Sequence, residues 1–227
     1  KTIKPVYLDL KSFCSTFIVG TVQSGKSETL RLIARMLHTR QSENLFYVVD
    51  SSRKGLADLE RLSESYVMAS DAEATETMLT EIVQTLIVRQ ETQTGEKEQQ
   101  GETFDATHFE MKFPQICILI DDIQEFLSLS GDACWKRLRG IVANGTGLGV
   151  AVIAAGRTTD IAKLENIDAI VSKIIAAQNG LAVSGTAAMH TYYSNNLGYD
   201  EKNVELKESN GLLYQKGLVE KIKLMEN

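Results

Sequence analysis

Short apolar runs along this chain alternate with stretches in which apolar residues recur at helical spacing. Ser15-Thr16-Phe17-Ile18-Val19 is a run of strand length, and Leu30, Ile33, Ala34 and Leu37 follow at the spacing of one helix face. Asn44 to Asp50 predicts the next strand, so a βαβ unit opens the chain, with Pro5 to Leu10 as an edge strand before it. Ser65 to Ala69 predicts a weaker strand. Ser70 and Glu73, at capping-box spacing, then open a helix that carries Met78, Ile82, Val83 and Leu86 on one face and is predicted to run to about Arg89.

From Gln90 to about Phe113 the chain is polar and has no apolar period until Phe104, which predicts a mobile insertion or lid. Ile116 to Ile120 is a buried strand tipped by Asp121 and Asp122. Trp135, Leu138, Ile141 and Val142 suit a helix, and a turn at Gly147 to Gly149 leads into the strand Val150 to Ala155. Lys173 to Ala177 reads as a further strand, and Gly211 to Gln215 with Val219 to Leu224 as a terminal hairpin around Lys216-Gly217. The expected fold class is α/β, a mostly parallel central sheet with helices on both faces and an antiparallel edge hairpin.

With 227 residues, 43% hydrophobic and 24% charged, the chain has the size and core of one α/β domain spanning 1–227. It begins at Lys1 with neither an initiator Met nor a cleavable leader pattern, so a piece of a longer multidomain protein is expected. No apolar stretch approaches the roughly 20 residues that span a bilayer. Cys14, Cys117 and Cys134 lack metal-ligand spacing and read as buried reduced thiols, which fits the cytosol. A net charge of −6 counts against a broad nucleic-acid partner.

The chemistry lies in two places. Gly20-Thr21-Val22-Gln23-Ser24-Gly25-Lys26-Ser27 fits the phosphate-binding pattern G-x-x-x-x-G-K-S, and it joins a strand to a helix N-terminus, where free N–H groups and the helix dipole favour an anion. The acid-tipped strand about a hundred residues on is the expected partner. Lys26 would contact the β and γ phosphates of ATP, Ser27 would place its hydroxyl on Mg²⁺, and Asp121 would hold that ion through water. Asp122 stands at the position of a general base. Glu28 adds a carboxylate to the helix's first turn, close to the phosphates.

Arg157 reads either as a sensor or finger toward a neighbour's nucleotide or as a surface arginine at a strand end. Arg137 and Arg139 are weaker finger candidates, explained as well by a charged helix face. Asp50 reads mainly as a solvated strand end, and His38, His108 and His190 as surface or helix-end histidines, with no metal other than Mg²⁺ implied. Tyr192, Tyr193, Leu197 and Tyr199 form either local core packing or an apolar patch for a partner peptide.

The order of these pieces resembles the FtsK/SpoIIIE class of RecA-like P-loop ATPases, most of all the tandem ATPase domains of the type VII secretion translocases EssC and EccC. The matching segments are GTVQSGKS at 20 to 27, YVVD at 47 to 50 with Gly55-Leu56-Ala57-Asp58-Leu59, LIDDI at 119 to 123 and GTGLGVAVIAAGRTTDI at 145 to 161, and the likeness covers roughly residues 3 to 224. The resemblance implies a cytosolic C-terminal module of a machine anchored in the cell membrane by other segments. It also implies other ATPase domains as partners, in the same chain or in a homo-oligomer, and docking of secreted substrate proteins through export-signal peptides. Three departures from an active motor imply ATP binding with slow hydrolysis. Asp121-Asp122 replaces Asp-Glu and pulls the base back by about an ångström, a displacement that costs on the order of a hundredfold. Gly156 replaces a γ-phosphate sensor, and Glu28 crowds the phosphates. A DNA translocase motor and a peptide-docking module with a vestigial loop are the alternatives.

Overall fold

The computed structural model describes residues 6, 15–40, 42–50, 55–164, 168–193 and 196–224. The strands are β1 (Ser15–Gly20), β2 (Leu45–Val49), β3 (Tyr66–Ala69), β4 (Ile116–Ile120), β5 (Val150–Arg157), β6 (Gly180–Ala182), β7 (Asn210–Gln215) and β8 (Leu218–Lys223). Residues 33–152 hold the strand order β3-β2-β4, and residues 1–32 with 153–227 the order β1-β6-β7-β8. The helices are α1 (Lys26–Arg40), α2 (Ala72–Gln100), α3 (Ala106–Glu110), α4 (Ile123–Leu129), α5 (Gly131–Asn144), α6 (Thr158–Leu164), α7 (Ala169–Ala176) and α8 (Tyr199–Lys202). The predicted edge strand at Pro5 to Leu10 and Cys14 fall outside the described residues, Val6 apart.

The chain divides into two compact units, residues 33–152 and residues 1–32 with 153–227. In the first of these, β2 runs parallel to both β3 and β4, with Phe46 opposite Tyr66 and Leu45 opposite Ile116. Parallel strands covered on both faces carry continuous apolar runs, and all five residues of β4 are buried. Phe46 and Tyr66 stack with ring centroids 4.7 Å apart. Helix α2 packs along α5 and buries Met78, Leu79, Ile82 and Leu86. Burial pushes the Cys117 thiol up to about 12. Because the thiolate is the nucleophile, an alkylating reagent at about pH 8 should label Cys117 at least roughly a hundredfold more slowly in the folded protein than in urea. Peptide mapping reads this directly, and equal rates would place Cys117 outside the core.

In the other unit, β1 runs parallel to β6, and β6, β7 and β8 continue antiparallel. The predicted hairpin turns on Lys216 (φ 52°) and Gly217 (φ 78°), a pair of left-handed residues that matches strand twist. Tyr193 stacks on Tyr214 at 4.7 Å and donates its hydroxyl proton to Asn179 O at 3.1 Å. Tyr192 and Tyr193 are therefore core residues, whereas Tyr199 is 84% exposed.

Several expectations change. Helix α2 runs to Gln100, not Arg89, and its cap is Asp71, which accepts the Ala74 N–H, not Ser70. The segment from Gln90 is rich in Gln, Glu and Lys, which propagate a helix without an apolar stripe. Beyond it, α3 seats Phe109 between Phe104 and Phe113, at centroid distances of 5.9 and 5.3 Å, so the segment expected as a polar insertion or lid is helical over most of its length. Lys173 to Ala177 is not a strand but lies mostly within α7. Asp168 caps that helix through the N–H groups of Ile170 and Val171, and its buried Ile170, Val171, Ile174 and Ile175 follow the helical period. The strand itself comes later, as β6. His190 is not a surface residue: it is 0% exposed.

Candidate nucleotide-binding site

Residues 20–27 lie where the sequence places them, running from the last residue of β1 into the first turn of α1. A Cβ at Gly20 would stand 2.4 Å from Ser24 Oγ and 2.9 Å from Ser184 Oγ, so a side chain there would displace both hydroxyls from the places they hold against the loop. Gln23 and Gly25 take left-handed φ values of 55° and 82°, which turn the chain from strand to helix. Gly25 O accepts both the N–H and the hydroxyl of Thr29 at 2.8 Å, fixing the first helical turn. The N–H groups before that turn have no intrahelical partner. Lys26 folds back over the loop and donates from Nζ to Thr21 O at 2.5 Å. Ser24 Oγ is shut away from solvent without a hydrogen-bond partner.

These features fit a bound polyphosphate: a tight curl at Gly20, a helix start whose first N–H groups have no intrahelical partner, and an ammonium over the loop. Glu28 pairs with Arg31 along α1, and its side chain is 64% exposed. Arg31 thus offsets its charge next to the loop. Thr21 and Val22 are exposed on the loop, and Ser27 is half-buried in the first turn of α1.

In the unit spanning 33–152, β4 delivers Asp121 and Asp122. Asp121 is 5% exposed, and its N–H bonds to Val49 O at 3.0 Å. Asp122 is the N-cap of α4, its Oδ1 accepting the N–H groups of Gln124 at 3.0 Å and Glu125 at 3.1 Å. The residue expected as general base therefore has a structural duty as well. Asp50 is 9% exposed and accepts the Leu56 N–H, so it is not a solvated strand end. A cavity of about 30 Å³, room for one water, lies among Asp50, Asp71, Asp122 and Glu125.

The remaining candidates are placed as follows. Arg157 ends β5, is 41% exposed and sits 4.0 Å from Asp160. Arg137 pairs with Glu76 at 3.1 Å, as a charged helix face requires, and Arg139 is exposed on α5. His38 packs against the Phe46 and Tyr66 rings, and His108 is exposed on α3. Among the described residues no group of His, Cys, Asp and Glu is arranged to hold a metal ion, and no helix is long and apolar enough to cross a membrane. A larger cavity of about 490 Å³ lies along α2 and α5, lined by Leu86, Ile87, Gln90, Arg137 and Ile141. No periodicity marks it in the sequence, since each helix shows only its own stripe.

Sequence reasoning missed Ser184. Its hydroxyl accepts the Thr21 N–H at 2.8 Å and lies 3.1 Å from Thr21 Oγ1. Nothing in Val183-Ser184-Gly185 signals this, because strand register alone brings the residue to the loop.

A curled, lysine-bearing turn between a buried strand and a helix defines a P-loop nucleotide-binding protein. The family model described as AAA domain matches residues 14–164, and this chain belongs to that family. No curated protein sequence matches it. Among solved structures, the cytoplasmic domain of EssC is similar at TM-score 0.82 and 17% identity, over 99% of this chain and 42% of that one. EccC (ATPases 2 and 3) of Thermomonospora curvata, in complex with a signal sequence peptide, gives 0.75 and 18%, over 99% and 39%. The conjugation coupling protein TcpA of pCW3, with ATPγS, gives 0.68 and 16%, over 95% and 61%. The chain thus spans about two fifths of the EssC and EccC chains, and at these identities the likeness is one of fold.

Proposed function

We propose that this chain is an ATP-binding, slowly hydrolysing ATPase domain of a type VII secretion translocase, which recognises or gates exported proteins through their signal peptides. The observation that carries the nucleotide part is the loop at 20–27, curled over Gly20 with Lys26 Nζ above it. The secretion part is supported by the fold likeness to EssC and EccC over nearly the whole chain. Lys26 holds the β and γ phosphates, Ser27 the magnesium, and Asp121 that ion through water. Arg157 answers a nucleotide on a neighbouring ATPase domain. The domain works on the cytoplasmic side of the membrane, anchored by other parts of its protein.

Bound MgATP supplies the phosphoryl group that water attacks. Asp122 takes the proton of that water, and two of its properties slow it. Its side chain is one methylene shorter than glutamate, and its Oδ1 is already held by the N–H groups of Gln124 and Glu125 as the cap of α4. Gly156 has no side chain with which to orient the water.

Two variants separate the duties of Asp122. Asp122→Asn keeps a good N-cap and should leave stability within about 0.5 kcal/mol while cutting residual phosphate release at least roughly tenfold. Asp122→Glu should raise turnover and weaken the cap by about 1 kcal/mol. Unchanged release in Asp122→Asn would remove Asp122 from the chemistry. The likeness to TcpA favours one second reading, a DNA translocase motor. Under that reading double-stranded DNA stimulates phosphate release several-fold, whereas under the secretion reading it does not.

A further inference from the structure

We infer that Ser184 is a positioning residue of the phosphate loop: the hydroxyl at the end of β6 holds Thr21, the residue on which Lys26 rests. The inference depends on the nucleotide reading above and assigns that site a support outside its motif.

Register creates the contact. Val19 pairs with Ala182, and Val183 N–H continues the ladder to Val19 O at 2.9 Å. At the next step the backbone ladder gives way to a side chain, and Thr21 N–H donates to Ser184 Oγ at 2.8 Å. A hydroxyl has one donor and two acceptor positions, so Ser184 takes the Thr21 N–H and still bonds with Thr21 Oγ1 at 3.1 Å. Thr21 is thereby gripped through its N–H and its hydroxyl, while its carbonyl receives Lys26 Nζ. One residue links Ser184 to the cation that meets the phosphates. The bare Cα of Gly20 provides the room, since a Cβ there would meet Ser184 Oγ at 2.9 Å.

The anchor is itself held. Ser184 O receives a hydrogen bond from His190 Nε2 at 3.3 Å, which assigns the proton to Nε2 and leaves Nδ1, 3.5 Å from the Tyr192 hydroxyl, as an acceptor. Burial depresses the basicity of His190, consistent with a neutral ring in that tautomer. Gly185 O accepts the Leu206 N–H at 2.9 Å, so the backbone on both sides of the hydroxyl is fixed.

The test compares Ser184→Thr with Ser184→Val, side chains of one shape that differ in the hydroxyl, against the unaltered protein and Lys26→Ala. MgATP affinity, phosphate release at saturation and thermal melting are measured on each. Ser184→Val should bind MgATP roughly five- to tenfold more weakly than Ser184→Thr, the size of one lost hydrogen bond, with release at saturation unchanged. Ser184→Thr should bind within about twofold of the unaltered protein. Equal affinities in the Thr and Val forms would overturn the positioning role and leave the nucleotide reading standing. Absence of MgATP binding in the unaltered protein would overturn both.

Discussion

Lys26→Ala is expected to weaken MgATP binding by about a hundredfold or more, the loss of a charge-assisted contact to phosphate. The ammonium already lies over the loop on Thr21 O, so its place is prepared before nucleotide arrives. A preorganised cation reorganises little on binding, which is why its removal costs affinity and not merely rate. Lys26 is only partly buried, so the substitution should shift stability by less than about 1 kcal/mol. Calorimetric titration of the two forms, with melting curves alongside, checks both statements. Affinity retained within threefold would mean that the loop does not bind phosphate through Lys26.

Arg89→Leu is expected to destabilise the protein by about 3–5 kcal/mol, as when buried carbonyls lose a charged hydrogen-bond donor. Arg89 is 4% exposed, and its guanidinium donates to Leu148 O at 2.8 Å, Gly149 O at 3.3 Å and Pro114 O at 2.8 Å. It also lies 5.0 Å from the centre of the Phe113 ring. These partners are the chain segments entering β4 and β5, so one side chain ties the middle of α2 to the starts of two strands. Gly149, at φ 72°, brings its backbone so near that a Cβ there would stand 3.1 Å from Arg89 Nη1. Leucine fills the volume but leaves the Leu148 and Pro114 carbonyls without the Arg89 donor, while Gly149 O keeps the Ile116 N–H at 2.8 Å, and at roughly 2–4 °C per kcal/mol the melting point should fall by about 10 °C. Arg89→Lys should recover part of the loss, because a single ammonium cannot reproduce the fork. A fall below 2 °C for Arg89→Leu would show that water replaces those bonds at no cost.

The parts of the fold legible in the sequence were those with one dominant signal. Phe17–Val19, Ile116–Ile120 and Val150–Ala155 are apolar throughout and are buried strands, and Lys216-Gly217 announces its turn. Ambiguity arose where two periods fit the same residues. Lys173 to Ala177 is too short to separate strand from helix, and the decisive residue, the Asp168 cap, lies outside the run. The second half of α2 was invisible because its helix carries no apolar face there, and its anchor, Arg89, looks like any surface arginine until its three carbonyl partners are placed around it. The phosphate loop was legible because it is local, eight consecutive residues between a strand and a helix. Ser184 was not, since it reaches Thr21 across 163 positions of sequence. The helix-cap role of Asp122, which accompanies the role of base proposed for it, likewise requires α4, a helix that the apolar pattern did not predict.

The most direct test is a titration of the purified protein with ATP and Mg²⁺ in which binding and phosphate release are followed in the same samples. Saturable binding with turnover far slower than release from an active motor is the expected result. Absence of saturable binding would contradict the nucleotide site, and rapid turnover without any partner would contradict the slowing assigned to Asp122 and Gly156.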